Sequence, residues 1–163
     1  MNGLIRQMWI LALVLVLSAL SYYAMSRYVV TGVVVQGKSM MPTLCDGDRC
    51  LLNRWAFKFR NPQRGEVVVL KDPGHADYAV KRIIGLPMDT IKLKDGSVYL
   101  NWQLLTEPYL SEGTRTYSPT SKENIILIGK NRYFVLGDNR KGSEDSRFYG
   151  SIRRDQIVGL IED

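Results

Sequence analysis

One histidine and two cysteines are the only imidazole and thiol groups among 163 residues, so chemistry in this chain falls to serines, lysines and carboxylates. That inventory excludes multi-histidine zinc sites, zinc ribbons and any disulfide-rich scaffold. There is no G-x-G-x-x-G, P-loop, H-E-x-x-H or C-x-x-C signature, and no cofactor or metal is expected. His75 stands in Asp72-Pro73-Gly74-His75-Ala76-Asp77. A Ser–His–Asp triad would have to recruit it, but its surroundings read as an exposed loop. Cys45 and Cys50, in C-x4-C spacing, suit either a disulfide or two small buried thiols.

Three segments carry side chains arranged for something more. In Gly37-Lys38-Ser39-Met40-Met41-Pro42-Thr43-Leu44, Gly37 permits a bend and a close approach of another chain. Pro42 restricts Met41 to an extended conformation. Ser39 is therefore expected at a turn just before a stiff, extended, Met-rich stretch; by itself this is equally a surface turn bearing a serine. In Tyr78-Ala79-Val80-Lys81-Arg82-Ile83-Ile84-Gly85-Leu86-Pro87, strand alternation puts Lys81 with Ala79 and Ile83, and Arg82 with Val80 and Ile84. One of two adjacent cations must then share a face with apolar residues. A lysine so placed loses hydration and its pKa falls. The neutral amine can then take a serine proton, a two-residue alternative to the histidine triad. A lysine at a strand edge reaching solvent is the plainer alternative. The third segment, Gly137 to Gly150, holds Asp138, Asn139, Ser143, Asp145 and Arg147, and by composition alone is a solvated loop.

The elements available to position these groups are mostly strands. Runs at 29–35, 49–52, 66–70, 79–84, 90–94, 98–100, 124–128, 133–136 and 157–161 are β-branched or alternating, with Gly, Pro, Asn and Asp clusters between them. Asp95-Gly96 is the clearest hairpin turn, and Ser111–Asn124 the expected flexible loop. Nothing beyond residue 30 reads as a three-turn amphipathic helix. The prediction is a mainly β fold, an antiparallel barrel or sandwich, behind one N-terminal transmembrane helix. Gln7 to Ser26 is free of charge and, at about 1.5 Å per residue, spans roughly the 30 Å hydrocarbon core of a bilayer. Trp9, Tyr22 and Tyr23 sit where interfacial aromatics belong. A cleavable signal peptide, apolar over Ile10–Leu17 and cut after Ser21, is the rival; the aromatics and the apolar 29–35 favour a retained anchor. Arg6 and the α-amino group favour an inside N-terminus, while Arg27 weakens that preference. The expected organisation is 1–6 cytoplasmic, 7–26 transmembrane and 27–163 an extracytoplasmic β-rich domain, large enough for one core.

The net charge of +6 favours acidic partners. Arg49, Arg54, Lys58, Arg60 and Arg64, interleaved with Trp55, Phe57 and Phe59, form a run without an acid. It is either a surface resting on anionic lipid or a solvated basic face. Nucleic-acid binding is not expected of an external domain on a membrane anchor.

In order and in text, the three segments resemble bacterial type I signal peptidases, membrane-bound Ser/Lys endopeptidases. Ser39-Met-Met-Pro-Thr-Leu resembles the family's nucleophile motif, and Lys81-Arg-Ile-Ile-Gly-Leu-Pro its general-base motif. Gly137-Asp138-Asn139-Arg140 with Ser143, Asp145, Ser146 and Arg147 resembles its last motif. Arg64–Val69 and Glu107–Leu110 also read like family text. The resemblance implies that Ser39 is the nucleophile and Lys81 the general base. Ser143 would orient the lysine amine, and Asp145 with Arg147 would brace the loop. It implies signal peptides of exported pre-proteins as substrates, with small residues one and three before the cut, and Gly37, Met40 and Met41 as substrate-contact candidates. The location implied is the outer face of the cytoplasmic membrane. A peptidase dedicated to a conjugation or pilus system, or a catalytically silent anchored β-domain, would share parts of this text. Three positions depart from the family pattern: Gly37, where some members carry a serine donor to the oxyanion; Met88, where glycine is usual; and Trp102, where an Asn-Gly turn is common.

Overall fold

The structure, a computed structural model, describes residues 2–28, 30–74, 77–119 and 124–162. Helix α1, Asn2–Tyr28, includes the whole uncharged span, and its stretch Gly3–Ala24 is long and apolar enough to cross a membrane. None of that stretch is buried against the rest of the protein. A helix serving a soluble core would hide at least one face.

Beyond α1 the chain is almost entirely strand: β1 Val30–Val34, β2 Arg49–Asn53, β3 Val67–Lys71, β4 Tyr78–Gly85, β5 Thr90–Lys94, β6 Ser97–Leu100, β7 Gln103–Leu104, β8 Asn124–Leu127, β9 Arg132–Leu136, β10 Ile152–Arg153 and β11 Ile157–Glu162. A single helical turn, α2 Ser146–Tyr149, precedes β10. Each of the nine expected runs contains a strand. The other two, β7 and β10, are two residues long, too short for any alternation to show in sequence. The larger sheet runs β1-β2-β11-β3-β4-β9-β10 and the smaller β7-β6-β5-β8, with every pair antiparallel. Successive partners across the larger sheet are Val30, Asn53, Leu160, Val68 and Lys81. Lys81 thus stands on the same cross-strand row as the residue at which the chain emerges from α1.

Strand β3 reads Val-Val-Val-Leu-Lys because its middle is covered on both faces. Val68 and Leu70 pack with Ile83, Val135 and Ile157, while Val69 packs with Val35, Met40 and Leu52. A third cluster, built on Ile84, Ile91, Ile128 and Phe134, joins the two sheets. Full burial of each such side chain contributes roughly 1.5–3 kcal/mol, which makes the strands around Lys81 a stiff platform.

The expected Asp95-Gly96 hairpin is present, with Lys94 opposite Ser97 and positive φ at both turn residues (52° and 76°). The turn between β6 and β7 repeats this geometry with Asn101 (47°) and Trp102 (71°), and Met88 is also left-handed at 71°. Two of the family departures therefore keep the backbone that glycine normally supplies. No disulfide joins Cys45 and Cys50. His75 lies outside the described residues, as do 120–123 of the expected flexible loop. Within its described part, Thr116 is buried and its N–H donates to Gly96 O at 2.9 Å.

A left-handed conformation costs an L-residue about 1–2 kcal/mol that glycine escapes. Met88 and Trp102 also leave most of their side chains in solvent. Met88→Gly and Trp102→Gly should therefore each raise stability by about 1 kcal/mol in urea denaturation of the detergent-solubilised protein. Unchanged or lowered midpoints would mean that the exposed side chains hold these turns.

Candidate active site

After β1 the chain is pinned before it reaches Ser39. Val35 N–H donates to Asp48 O, Gly47 N–H to Val35 O, and Gly37 N–H to Asp46 Oδ1 at 2.8 Å, with Gly37 at φ 92°. The stretch after Ser39 is not extended as expected. Met41 N–H bonds to Lys38 O and Leu44 N–H to Met40 O, closing consecutive turns, and the Met41–Pro42 peptide is cis. Met40, 1% exposed, anchors these turns among Val35, Leu44 and Val69. That burial removes it from the cleft wall where it was expected to meet substrate. Met41 is partly exposed and lines a separate small hollow with Pro42 and Asn139. Gly37 does line the main cleft.

Lys81 Nζ lies 3.0 Å from Ser39 Oγ, joining β4 to the turn after β1. The lysine is 4% exposed, opposite the fully buried Val68. Burial pushes its pKa below the ordinary lysine value; Asp145, Asp72 and Glu144 oppose that shift more weakly and Arg147 adds to it. At 3.0 Å the same contact serves with the hydroxyl as donor once the amine is neutral. Sequence alternation demanded that one of the two cations face apolar residues. In fact both are buried, and they are treated differently. The Arg82 guanidinium forks onto Asp138, Nε to Oδ1 at 2.9 Å and Nη2 to Oδ2 at 2.6 Å. It also donates to Gly65 O and lies 4.0 Å over the Tyr109 ring. Lys81 has no carboxylate in ion-pair contact among the described residues.

The loop after β9 clamps the two halves. Asn139 N–H donates to Ser39 O, and Asn139 Nδ2 to Lys38 O, both at 3.0 Å. Asp138 also accepts a hydrogen bond from Thr43 Oγ1, tying the serine turn to Arg82. Asp145, fully buried, accepts from Gly137 N–H and from Arg147 Nε and Nη2, and it caps α2. Arg140 grips Gly137 O and pairs with Glu107, whose other contact is the Tyr109 hydroxyl. Ser143 is 6% exposed and its Oγ has no hydrogen-bond partner among the described residues. The bond expected between this hydroxyl and the Lys81 amine is not formed; the amine's hydrogen bond goes to Ser39 Oγ. Sequence reasoning left Thr43, Asp138 and Asn139 without roles. The available signal was Arg82, since a second buried cation on a strand requires a carboxylate.

A cleft of about 710 Å³ ends at Ser39 and Lys81, walled by Val33, Val35, Leu52, Val69, Ala79 and Val158. Its two sides run along β1, the edge of the sheet, and along Tyr78–Val80, the part of β4 that β9 does not reach. Ser39 N–H has no acceptor among the described residues.

The chain that carries this site has relatives among known proteins. Residues 6–162 match the family model described as signal peptidase, peptidase S26. The chain belongs to that family. Signal peptidase I V of Bacillus subtilis is 39% identical, with 79% of this chain and 82% of that protein covered. Signal peptidase IB of Staphylococcus aureus is 36% identical over 94% of this chain and 85% of its own length. A crystal structure of a signal peptidase I from Enterococcus faecalis superposes with a TM-score of 0.53 at 27% identity, covering 63% of this chain and 98% of that one. The fold and the peptidase family are thus shared with proteins of that name.

Gly137 is where the clamp has no slack. A methyl group there would lie 2.2 Å from Ser143 Oγ and 2.5 Å from Ser39 O. Gly137→Ala should push the serine turn off the amine, with a fall in kcat of roughly 10²-fold or more for a displacement near 1 Å. Cleavage kinetics beside circular dichroism of the folded variant checks this; a folded variant with unchanged kcat would show that the turn relaxes harmlessly.

Proposed function

We propose that this chain is a membrane-anchored type I signal peptidase that cleaves signal peptides from exported pre-proteins at the outer face of the cytoplasmic membrane. Ser39 is the nucleophile and Lys81 the general base. The reading rests above all on the 3.0 Å contact, in the lining of a largely apolar cleft, between a serine and a buried lysine that has no carboxylate in ion-pair contact among the described residues. The neutral amine takes the Ser39 proton as Oγ bonds to the scissile carbonyl carbon. When the C–N bond breaks, the ammonium returns that proton to the leaving amine. Water, deprotonated by the same amine, then hydrolyses the ester and restores Ser39. The Ser39 N–H is the donor available to the developing oxyanion. The unpaired edges of β1 and β4 suit an extended peptide, and the low apolar walls suit the small residues preferred before the cut. The exposed apolar α1 supports the anchor, and the row from Val30 to Lys81 supports a site close to the bilayer.

Cleavage of a pre-protein in detergent tests this directly. Ser39→Ala and Lys81→Arg should both be inactive while folded, the second because a guanidinium keeps its proton. Activity in either variant at the wild-type rate overturns the dyad. Because burial lowers the Lys81 pKa, the base form accumulates as pH rises through a value below that of free lysine. The rate should climb with it; a flat profile from pH 6 to 9 contradicts a lysine base.

Ser143, Asp145 and Arg147 act as positioning residues in this scheme. When Ser39 Oγ commits to the carbonyl carbon, the ammonium needs another acceptor, and the unpartnered Ser143 hydroxyl is packed against the same glycine as Ser39 O. Ser143→Ala removes a buried hydroxyl that has no partner to lose, so stability should hold within about 0.5 kcal/mol or improve. The rate effect should appear in kcat, by roughly 10²-fold, with KM unchanged. Wild-type kcat would reduce Ser143 to packing.

A further inference from the structure

The basic, aromatic run after β2 is only partly what its sequence suggested. Arg60 pairs with Glu66 at 2.6 Å and Arg64 with Asp89 at 2.9 Å, so neither cation is available to a partner. What remains is a compact knuckle. Asn53 Oδ1 accepts from the N–H groups of Trp55 and Ala56, both at 2.9 Å, and Lys58 N–H closes on Trp55 O. Phe57 turns into the core, 8% exposed, and Arg154 donates to its carbonyl. Trp55 and Phe59 turn outward with ring centroids 6.3 Å apart, Phe59 82% exposed, and Lys58 Nζ sits 4.3 Å over the Trp55 ring. Phe59 is thus held in solvent, and Trp55, 38% exposed, partly so, by a backbone whose hydrogen bonds leave the turn little freedom. The nearby acids Glu66 and Glu162 are occupied by Arg60 and Asn53.

Register decides where the knuckle points. Asn53, the last residue of β2, pairs with Val30, the first of β1, only a few residues past the apolar stretch of α1. Strand β2 runs back toward the end from which β1 departs, so Arg54 to Phe59 follow at the end of β2 that lies beside the start of β1, the first strand after α1. We propose that the Trp55–Lys58–Phe59 knuckle is a second membrane contact, its rings entering the interface of an anionic bilayer beside α1 and its cations meeting the headgroups. Amphipathic aromatics favour that depth, and each cation near an anionic surface strengthens docking about fivefold. The inference rests on α1 being the membrane anchor.

The test uses the full chain in vesicles of phosphatidylcholine with or without phosphatidylglycerol, containing acyl-brominated lipid. In Trp9→Phe/Trp102→Phe protein, where Trp55 is the sole tryptophan, bromine quenching and protection from acrylamide should both appear, more strongly with phosphatidylglycerol. Phe59→Ser should weaken them, and Lys58→Glu should lower the docked-to-undocked ratio at least roughly fivefold. A companion protein retaining only Trp9 reports on α1. Trp9 quenched with Trp55 unquenched and open to acrylamide overturns the knuckle and leaves the anchor standing. Trp9 unquenched overturns the anchor and the knuckle with it. Trp55 shielded from acrylamide but not quenched by bromine means that protein, not lipid, covers it, and quenching indifferent to phosphatidylglycerol leaves the cations without a role; both overturn the proposal.

Discussion

Burial can hold the pKa of a lysine amine down beside a serine only if no carboxylate pairs with it. The site therefore depends on where its acids are spent. Asp145, the acid that acts most strongly on Lys81, is taken by Arg147; elsewhere in the clamp Asp138 is taken by Arg82 and Glu107 by Arg140. A guanidinium accepts a carboxylate in a planar fork and never gives up its charge, so the pairs are geometrically fixed and chemically closed. Breaking the Asp145–Arg147 pair would leave a buried carboxylate whose charge favours protonated Lys81. Arg147 thus acts on the reactivity of a lysine it does not touch.

The same pairs do mechanical work. Asp138 reaches Arg82 on β4 and Thr43 on the serine turn, so one carboxylate joins the strand bearing the amine to the loop bearing the hydroxyl. Asn139, its neighbour, holds the serine carbonyl from the other side. Desolvating two groups for a buried ion pair is rarely a net gain in stability. Here the pairs are better understood as fixing geometry, holding the Ser39 turn 3.0 Å from the Lys81 amine.

Strands were legible because their alternation is a local property. The nine runs and the Asp95-Gly96 hairpin follow from side-chain period and turn chemistry without knowledge of the partner strands. Ser39 and Lys81 stood out for a different reason, namely their likeness to family text. Their contact joins residues 42 positions apart, and no periodicity reports such a distance. The turns after Ser39 were misjudged because Pro42 was weighed alone, while burial of Met40 decides the path. The basic run misled for the same reason. Arg60 and Arg64 look unopposed in sequence, but their acids, Glu66 and Asp89, stand just before β3 and just before β5.

The order of parts along the chain has a consequence for the life of the protein. Hydroxyl and amine belong to the first half, whereas the clamp, from Gly137 to Arg147, is among the last segments made. A nascent chain that stops short of it has both reactive groups but nothing to hold Ser39 against Lys81. It also lacks β11, which lies between β2 and β3, so the two strand pairs that carry those groups stay apart. The contact between the two groups is thus withheld until the clamp and β11 have been made and inserted.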